Sequence, residues 1–515
     1  VEDELAAGVP PDRIGYVSFT KRAAHEAAER ACQRFSLSHV DLPYFRTLHS
    51  LCFRQLGLSG GDVLEGKKLM TDFAQYAGVR ITGRFSEDGL MSGFEMGDRI
   101  IFMENLARVR CVSLEEQYRL DSDQLPWVLV SQVSRALATY KSEHNLMDYT
   151  DMLSEFVRSG IEVPLEVLVV DEAQDLSRLQ WDVVSVLARK ARRVCVAGDD
   201  DQAIYRWSGA DSDHLIRLEG DSRVLGQSYR VPPAVQDVAG RMVPHMGNRR
   251  QKDWAAKVGT EGSVGYAQRF GDIDCGFRLT ASGEPVQVLV LARNTYILWE
   301  QVIPHLRRQG IVWHHNDKPS VSSGVLGSIE AWERLRQGGS VTLQVARQLY
   351  DRMSSGVGVR RGFKELHVFD DRERVWDEEQ NKRPRAEQEP FTVTKADLHS
   401  EGGLLVDGFW FDVLDRVPAG EREYIRTALA TIKRSGTEAT LENLTKPRVR
   451  ISTIHGSKGG EADRVVLLKE IAARTFQEMR WASEDEARVW YVAVTRAREQ
   501  LTIVDSTTPR ACPWL

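Results

Sequence analysis

Residues Leu165–Asp175 read LEVLVVDEAQD, and this stretch decides the fold. Four apolar residues, Val167–Val170, run without alternation into Asp171 and Glu172. An unalternating apolar run marks a strand buried on both faces, the usual state in a parallel sheet covered by helices. Such a strand delivers the residues after it to the C-terminal edge of the sheet, where α/β proteins bind ligands. Two carboxylates there suit phosphate chemistry. The first can hold Mg2+, which prefers hard oxygen ligands, and the second can orient or deprotonate a water. A bare acid pair after a strand is more often simply solvated, but Gln174 and Asp175 following in register weigh against that.

The same grammar recurs outward from this strand. Val194–Asp211, VCVAGDDDQAIYRWSGAD, is an apolar strand, Gly198, three acids and Gln202, whose amide can sense a γ-phosphate. Tyr205, Arg206 and Trp207 then combine aromatic faces with a positive charge, a combination that grips single-stranded nucleic acid. A lone Trp is usually core; its neighbours raise the prior for this one. Upstream, IGYVSFT (Ile14–Thr20) reads as a strand leading into an Ala/Glu-rich helix, KRAAHEAAERACQRF, and YFRTL precedes a helix from about His49. Downstream, PVQVLVLARN, RVRISTIHGSKGGEADRVVLL and EDEARVWYVAVTRAREQLTIV repeat the strand–helix alternation. The alternation predicts an α/β protein with two parallel-sheet cores, each carrying helical material. Residues 60–147 read as mostly helical, with polar breaks at LSGGD and FSEDG, and the charged segment 371–390 reads as an exposed loop or insertion.

Composition narrows the function classes. Lys plus Arg total 68 and Asp plus Glu 74, a formal net charge of −6 over 515 residues. This excludes binding to nucleic acid by bulk positive charge and leaves room for a local basic groove. No apolar run approaches a membrane span, and the acidic start VEDELAAGVPPDR has no signal-peptide core, so no membrane partner is expected. Six cysteines without a CxxC spacing disfavour zinc, iron–sulfur and dithiol sites and fit a reducing, cytoplasmic compartment.

With these residues in order, the chain resembles the UvrD/Rep-type superfamily 1 DNA helicases. DEAQD and GDDDQAIYRWSGAD resemble that family's motifs II and III. YVSFTKRAAHEAAER resembles motif Ia, FRTLHSLCFR motif Ib, LGQSYRVPPAV motif IV, RVRISTIHGSKGGEADRVVLL motif V and RVWYVAVTRARE motif VI. The likeness runs from Ile14 to Val504. It implies two RecA-like P-loop NTPase cores. The first would comprise residues 1–58 and 148–222 around a helical insertion, 1B, at 59–147. The second would comprise 223–320 and 441–515 around a short insertion, 2B, at 321–440. It implies an ATP- and Mg2+-dependent helicase or translocase, moving 3′→5′ on single-stranded and partly duplex DNA. A monomer or weak dimer of bacterial or phage origin is expected.

The resemblance also implies roles. Asp171 would hold magnesium, Glu172 would be the catalytic base, and Gln202 would couple phosphate to DNA. Arg230 and Arg496 would reach the γ-phosphate from the second core, stabilising charge on the transferring group. Glu461 would contact the nucleotide sugar, with Gly459 and Gly460 allowing close backbone approach, and Tyr229 would lie near the adenine. DNA contacts would come from Phe19, Thr20, Thr47, His49, Tyr205, Trp207, Thr453 and His455. Each has an ordinary alternative: a surface ion pair for the arginines, a loop cap for the histidines, a satisfied core position for Tyr229.

One family feature is missing. No Gly-x-x-x-x-Gly-Lys-Ser/Thr loop occurs in the sequence, nor the glutamine motif that precedes it in the family. Backbone N–H groups of that loop cradle phosphates and its Lys neutralises them. The strand before the loop sits centrally in the family's first sheet, and a gap there would leave unpaired backbone groups and exposed apolar faces, so the chain is expected to be truncated ahead of Val1. Val1–Gly8 is expected to be the tail of the helix after the loop, and the chain as it stands to hydrolyse ATP very poorly. The alternative is a P-loop-less, non-catalytic DNA-binding or regulatory protein. A third reading, the motor half of a recombination helicase–nuclease, meets only eleven residues after Val504, too few for a nuclease domain within this chain.

Overall fold

Three strand ends come together first. In the computed structural model, which describes residues 1–82, 84–85, 91–93, 95–121, 125–276, 283–384, 388–434, 444 and 447–515, β1 (Ile14–Ser18) lies between β2 (Phe45–Thr47) and the LVVD strand. In-register pairing sets Ser18 opposite both Thr47 and Asp171. The helices after β1 and β2 start where their sequences dictate. Thr20 caps α2 (Lys21–Phe35) by accepting from Ala23 N at 3.2 Å, and Thr47 caps α3 (Leu48–Gln55) by accepting from Ser50 N at 3.3 Å. The buried stripe of α2 is Ala24, Ala28 and Ala31, small side chains that let the helix lie close to its neighbours.

The chain forms two units. The first comprises Val1–Gln227, Gly240–Ala255 and Met479–Val492. Within it a two-residue pair, β3 (Arg84–Phe85) and β4 (Met91–Ser92), accompanies four helices: α4 (Lys67–Ala77), α5 (Met96–Val109), α6 (Leu114–Leu120) and α7 (Trp127–Glu143). These helices bury Leu64, Phe73, Ile100, Val130, Leu137 and Tyr140. After α8 (Tyr149–Ser159), β5 (Val167–Asp171) and β6 (Arg193–Val196) complete an all-parallel sheet of order β2-β1-β5-β6.

This sheet has no gap among the described residues. All neighbouring strands of this sheet are paired, and the bare place is instead an edge: β6 pairs only with β5 among the described residues, and Val194 is 41% exposed. An absent edge strand breaks no ladder, whereas a missing central one would leave two rows of unpaired backbone groups. The segment Glu2–Ala6 is helical (α1), as expected, and the chain leaves it through Gly8 at φ +86°. Its buried Glu4 accepts from Arg193 at 2.7 Å and from Arg192, which ties α1 to the start of β6.

The second unit comprises Ser228–Ala239, Ala256–Glu478 and Ala493–Leu515. Its larger sheet contains β7 (Ser263–Ala267), the fully buried β8 (Val288–Ala292), β9 (Trp313–His315), β10 (Lys318–Pro319), β13 (Val449–Thr453), β14 (Ala462–Leu468) and β15 (Ala497–Val504). The order is β10-β9-β13-β8-β14-β15-β7, parallel except for the β9–β10 pair. A small antiparallel pair, β11 (Ser340–Thr342) with β12 (Thr392–Thr394), joins the helices Ser323–Arg336, Leu343–Asp351 and Ala419–Arg434. Their apolar faces merge with those of the large sheet into one continuous core.

One expectation for this unit is corrected. The charged segment from 371 is not a loop at its start: Asp370–Gln380 is a helix. Asp370, Asp371 and Glu373 occupy its first turn, where the helix dipole favours negative charge, and Arg347 bonds Asp370 at 2.7 Å. Residues 385–387 of that segment and 86–89 of the FSEDG break lie outside the described residues. No helix among the described residues is long and apolar enough to cross a membrane.

Candidate functional site

The carboxylate edge of the first unit is held from both sides. Asp171 Oδ2 accepts from the Tyr16 hydroxyl at 2.5 Å, and Oδ1 from the backbone N–H of Glu172 at 2.9 Å. Tyr16 stands on β1 with its ring stacked on Phe45 at 5.6 Å. Burial, then Asp171, raises the Tyr16 phenol far above its ordinary value, so it remains a proton donor. Glu172 adopts φ +53°, a left-handed conformation that costs a non-glycine residue energy. Its Oε2 accepts from Gln174 Nε2 at 2.5 Å, and the buried Gln174 in turn accepts from the backbone N–H of Asp199 at 2.9 Å. A Cβ on Gly198 would come within 2.7 Å of that Gln174 oxygen, so a side chain there would push on the bond between Gln174 and Asp199.

These residues fit a hydrated divalent cation carrying phosphate. Ser18 Oγ, in register with Asp171, is buried and has no hydrogen-bond partner among the described residues, and each Asp171 oxygen keeps a second lone pair. Among the described residues no group of three or more His, Cys, Asp or Glu could cage a metal alone. Mg2+ is commonly held by one or two carboxylates together with substrate phosphates and water.

The three acids after β6 are met by cations that sequence reasoning missed. Gln202 Nε2 donates to Asp199 Oδ2 at 2.7 Å, and Lys252 Nζ holds Asp199 Oδ1 at 2.6 Å and Asp200 Oδ1 at 2.5 Å. Arg249 makes a two-pronged contact with Asp201, both bonds 2.7 Å. The fully buried Arg488 donates to Asp200 O at 3.0 Å and Asn248 O at 2.7 Å. Burial would raise the Asp199 carboxyl, but Lys252 outweighs it and holds the group below the usual range. A signal existed: buried adjacent acids need partners, and NRRQK (Asn248–Lys252) is a nearby basic run.

Beside these acids lies an aromatic surface. Phe19 and Tyr205 stack at 5.4 Å, and Trp207 is 56% exposed. His49 meets Tyr149 edge-on at 5.9 Å, and burial, with Lys21 nearby, pushes its imidazole down to about 4, so the ring is neutral at ordinary pH. Thr20 and Thr47 use their oxygens as helix caps, which leaves their hydroxyl protons to donate.

On the second unit, Glu461 lies 3.7 Å from Arg230 and 3.2 Å from Arg498. Arg230 Nε has no hydrogen-bond partner among the described residues, and Tyr229 is 87% exposed. The buried Arg496 donates to Gly460 O at 3.1 Å. Gly459 takes φ +72°. A Cβ on Gly460 would lie 2.5 Å from the Arg450 guanidinium, so here the bare glycine makes room for an arginine. Thr453 Oγ1 accepts from Gly456 N at 3.1 Å, and His455 opens the short turn His455–Ser457. Arg230, Glu461, Gly460 and Arg496 thus form a connected group, whereas Thr453 is the last residue of β13 and His455 follows it.

Comparison with known proteins matches two family descriptions: the UvrD/REP helicase N-terminal domain at residues 4–223 and the UvrD-like helicase C-terminal domain at residues 417–508. The chain is similar to the ATP-dependent DNA helicase PcrA of Staphylococcus epidermidis, 26% identical over 267 residues, which is 49% of this chain and 36% of that protein. It is 25% identical over 269 residues to the PcrA of Staphylococcus aureus, with the same shares covered. The matched region therefore spans about a third of the length of these relatives.

Proposed function

We propose that this chain, which belongs to the UvrD-like superfamily 1 helicases, acts as an ATP-dependent DNA helicase or translocase moving 3′→5′ on single-stranded DNA. One observation carries the reading. A hydrogen-bonded path runs from Glu172 through Gln174 to the backbone of Asp199, whose side chain holds Gln202. Three residues further stands Tyr205, stacked on Phe19. Such a path joins a candidate phosphate-sensing group to an aromatic surface suited to nucleobases.

Each residue has a definite task in this reading. Asp171, steadied by Tyr16, would hold Mg2+, which would supply positive charge to the phosphates. Glu172 orients and deprotonates the attacking water. Gln202 reads the phosphate state, and Arg230 and Arg496 are the cationic groups suited to a transferring phosphoryl group. Bound Mg·ATP supplies the phosphoryl bond whose cleavage drives the cycle. Glu461, Gly459, Gly460 and Tyr229 serve the nucleotide. Phe19, Thr20, Thr47, His49, Tyr205, Trp207, Thr453 and His455 serve the strand. Residues 59–147 and 321–440 are the 1B and 2B insertions.

The sequence contains no Gly-x-x-x-x-Gly-Lys-Ser/Thr, so ATP turnover by these 515 residues alone is expected near background. Joining a strand, such a loop and a helix ahead of Val1 should raise it and make it respond to single-stranded DNA. A second reading is a non-catalytic DNA-binding protein. Tight DNA binding with no turnover after the loop is supplied would select that one.

A further inference from the structure

We propose that Phe102, on α5 of the helical insertion, is part of the single-strand-binding surface: it backs Trp207 and fixes the indole plane on which a nucleobase stacks. The inference rests on the DNA-binding reading above and adds a residue to it. Phe102 and Trp207 have ring centroids 6.1 Å apart and planes within 19° of each other. Trp207 is more than half exposed and Phe102 is partly so. An indole left this open, lined by a second flat ring, is placed as a platform rather than as core.

The rest of α5 shows that this pairing is built. Phe102, Leu106, Val109 and Arg110 recur at helical spacing and therefore share one face. That face meets the turn Arg206–Gly209 that carries Trp207. Arg110 donates to Arg206 O at 3.2 Å. Gly209 sits at φ +102°, and a Cβ there would come within 2.8 Å of Val109 and 3.2 Å of Leu106. The turn is thus pressed against α5 so closely that only glycine fits, and Phe102 extends the same contact to the ring. Two residues earlier, Tyr205 stacks on Phe19 in the same manner. The result is two aromatic pairs on one turn, Phe19 with Tyr205 and Phe102 with Trp207, while Arg206 between them pairs with Asp485 at 3.5 Å. Flat aromatic faces set in succession fit the bases of an unpaired strand.

The test uses the whole chain without nucleotide and a fluorescently labelled oligothymidylate, read by anisotropy over a range of salt. Removing one stacking partner costs about 5- to 150-fold in affinity, and W207A should fall in that range. F102L, of similar volume but without a flat face, should weaken binding about 5-fold or more, and F102Y should restore it. The salt slope of F102L should equal that of the parent, because its phosphate contacts remain. If F102L binds as tightly as the parent while W207A is weakened, Phe102 only fills space and the proposal fails alone. If F102L loses affinity together with salt slope, the whole surface has been disturbed and the proposal likewise fails. If W207A binds like the parent, the stacking surface itself is wrong and both readings fall.

Discussion

The Tyr16 hydroxyl donates to Asp171 Oδ2 at 2.5 Å, joining two residues 155 positions apart, one in the middle of β1 and the other at the end of the adjacent β5. The bond fixes one oxygen of the carboxylate to which the proposed metal role is assigned. Tyr16→Phe keeps the ring against Phe45 and removes only the donor. Hydrogen bonds to charged groups contribute about 1.5–3 kcal/mol, and urea unfolding at neutral pH should show a loss of about that size or somewhat less. Because the folded-state phenol is raised, its contribution is fully present below the ordinary tyrosine value of 10.0 and declines above it. The gap between parent and variant should therefore be constant up to about that pH and close beyond it. A gap that is absent at neutral pH would remove Tyr16 from the site.

Lys252 should be energetically coupled to Asp199. It bridges Asp199 and Asp200, and Asp199 holds Gln202. Truncating one member of a buried ion pair typically costs about 3–5 kcal/mol. Lys252→Met should cost about that much, whereas adding Asp199→Asn should cost less than the sum of the two single changes. Strict additivity in denaturant unfolding would show that the two are independent.

Asp148 caps α8 and accepts from Lys141 at 2.6 Å and from Arg108 at 2.8 and 3.0 Å. Burial opposes its charge, but Arg108 and Lys141 outweigh burial and hold the carboxyl below its usual range. A depressed folded value gives stability that is present above the ordinary aspartate range and lost as pH falls through and below it. Asp148→Asn should reduce stability by about 3–5 kcal/mol at pH 7 and flatten its acid dependence below pH about 4. Parallel stability–pH curves for parent and variant would contradict this.

His49 makes the matching prediction at higher pH. Its folded value, near 4, lies below the unperturbed 6.5, so the unfolded chain binds a proton that the folded chain refuses. Stability from this group is present above 6.5 and lost as pH falls from 6.5 to about 4. His49→Gln should remove that part of the slope. An imidazole NMR titration of His49 with a midpoint near 6.5 would refute the burial argument.

Much of this architecture is legible in the residues. The apolar run before Asp171 marks β5, and the Ala/Glu stretch Lys21–Phe35 matches α2 end to end, because both patterns are local. The relations that build the site are not local. Nothing in IGYVSFT says that the Tyr16 hydroxyl meets Asp171, since that depends on which strand neighbours β1 and in what register. Acidic neighbours at Asp199–Asp201 announce a need for cations without naming Arg249, Lys252 and Arg488. The helix Asp370–Gln380 carries almost no apolar stripe, so periodicity is silent, and its stability comes from first-turn acids and the Arg347 contact. Phe102 lies inside a helical stretch with no motif, and only the close packing of α5 on the Trp207 turn singles it out.

The central claim is that Glu172 activates the water in a DNA-driven ATP hydrolysis. The most direct measurement is ATP turnover, with and without single-stranded DNA, by this chain carrying a supplied phosphate-binding loop ahead of Val1, compared with its Glu172→Gln variant. General-base catalysis contributes about 100- to 10,000-fold. Turnover should be stimulated by DNA and fall by about 100-fold or more in the variant, with single-strand affinity unchanged. Turnover indifferent to DNA, or undiminished by Glu172→Gln, would contradict it.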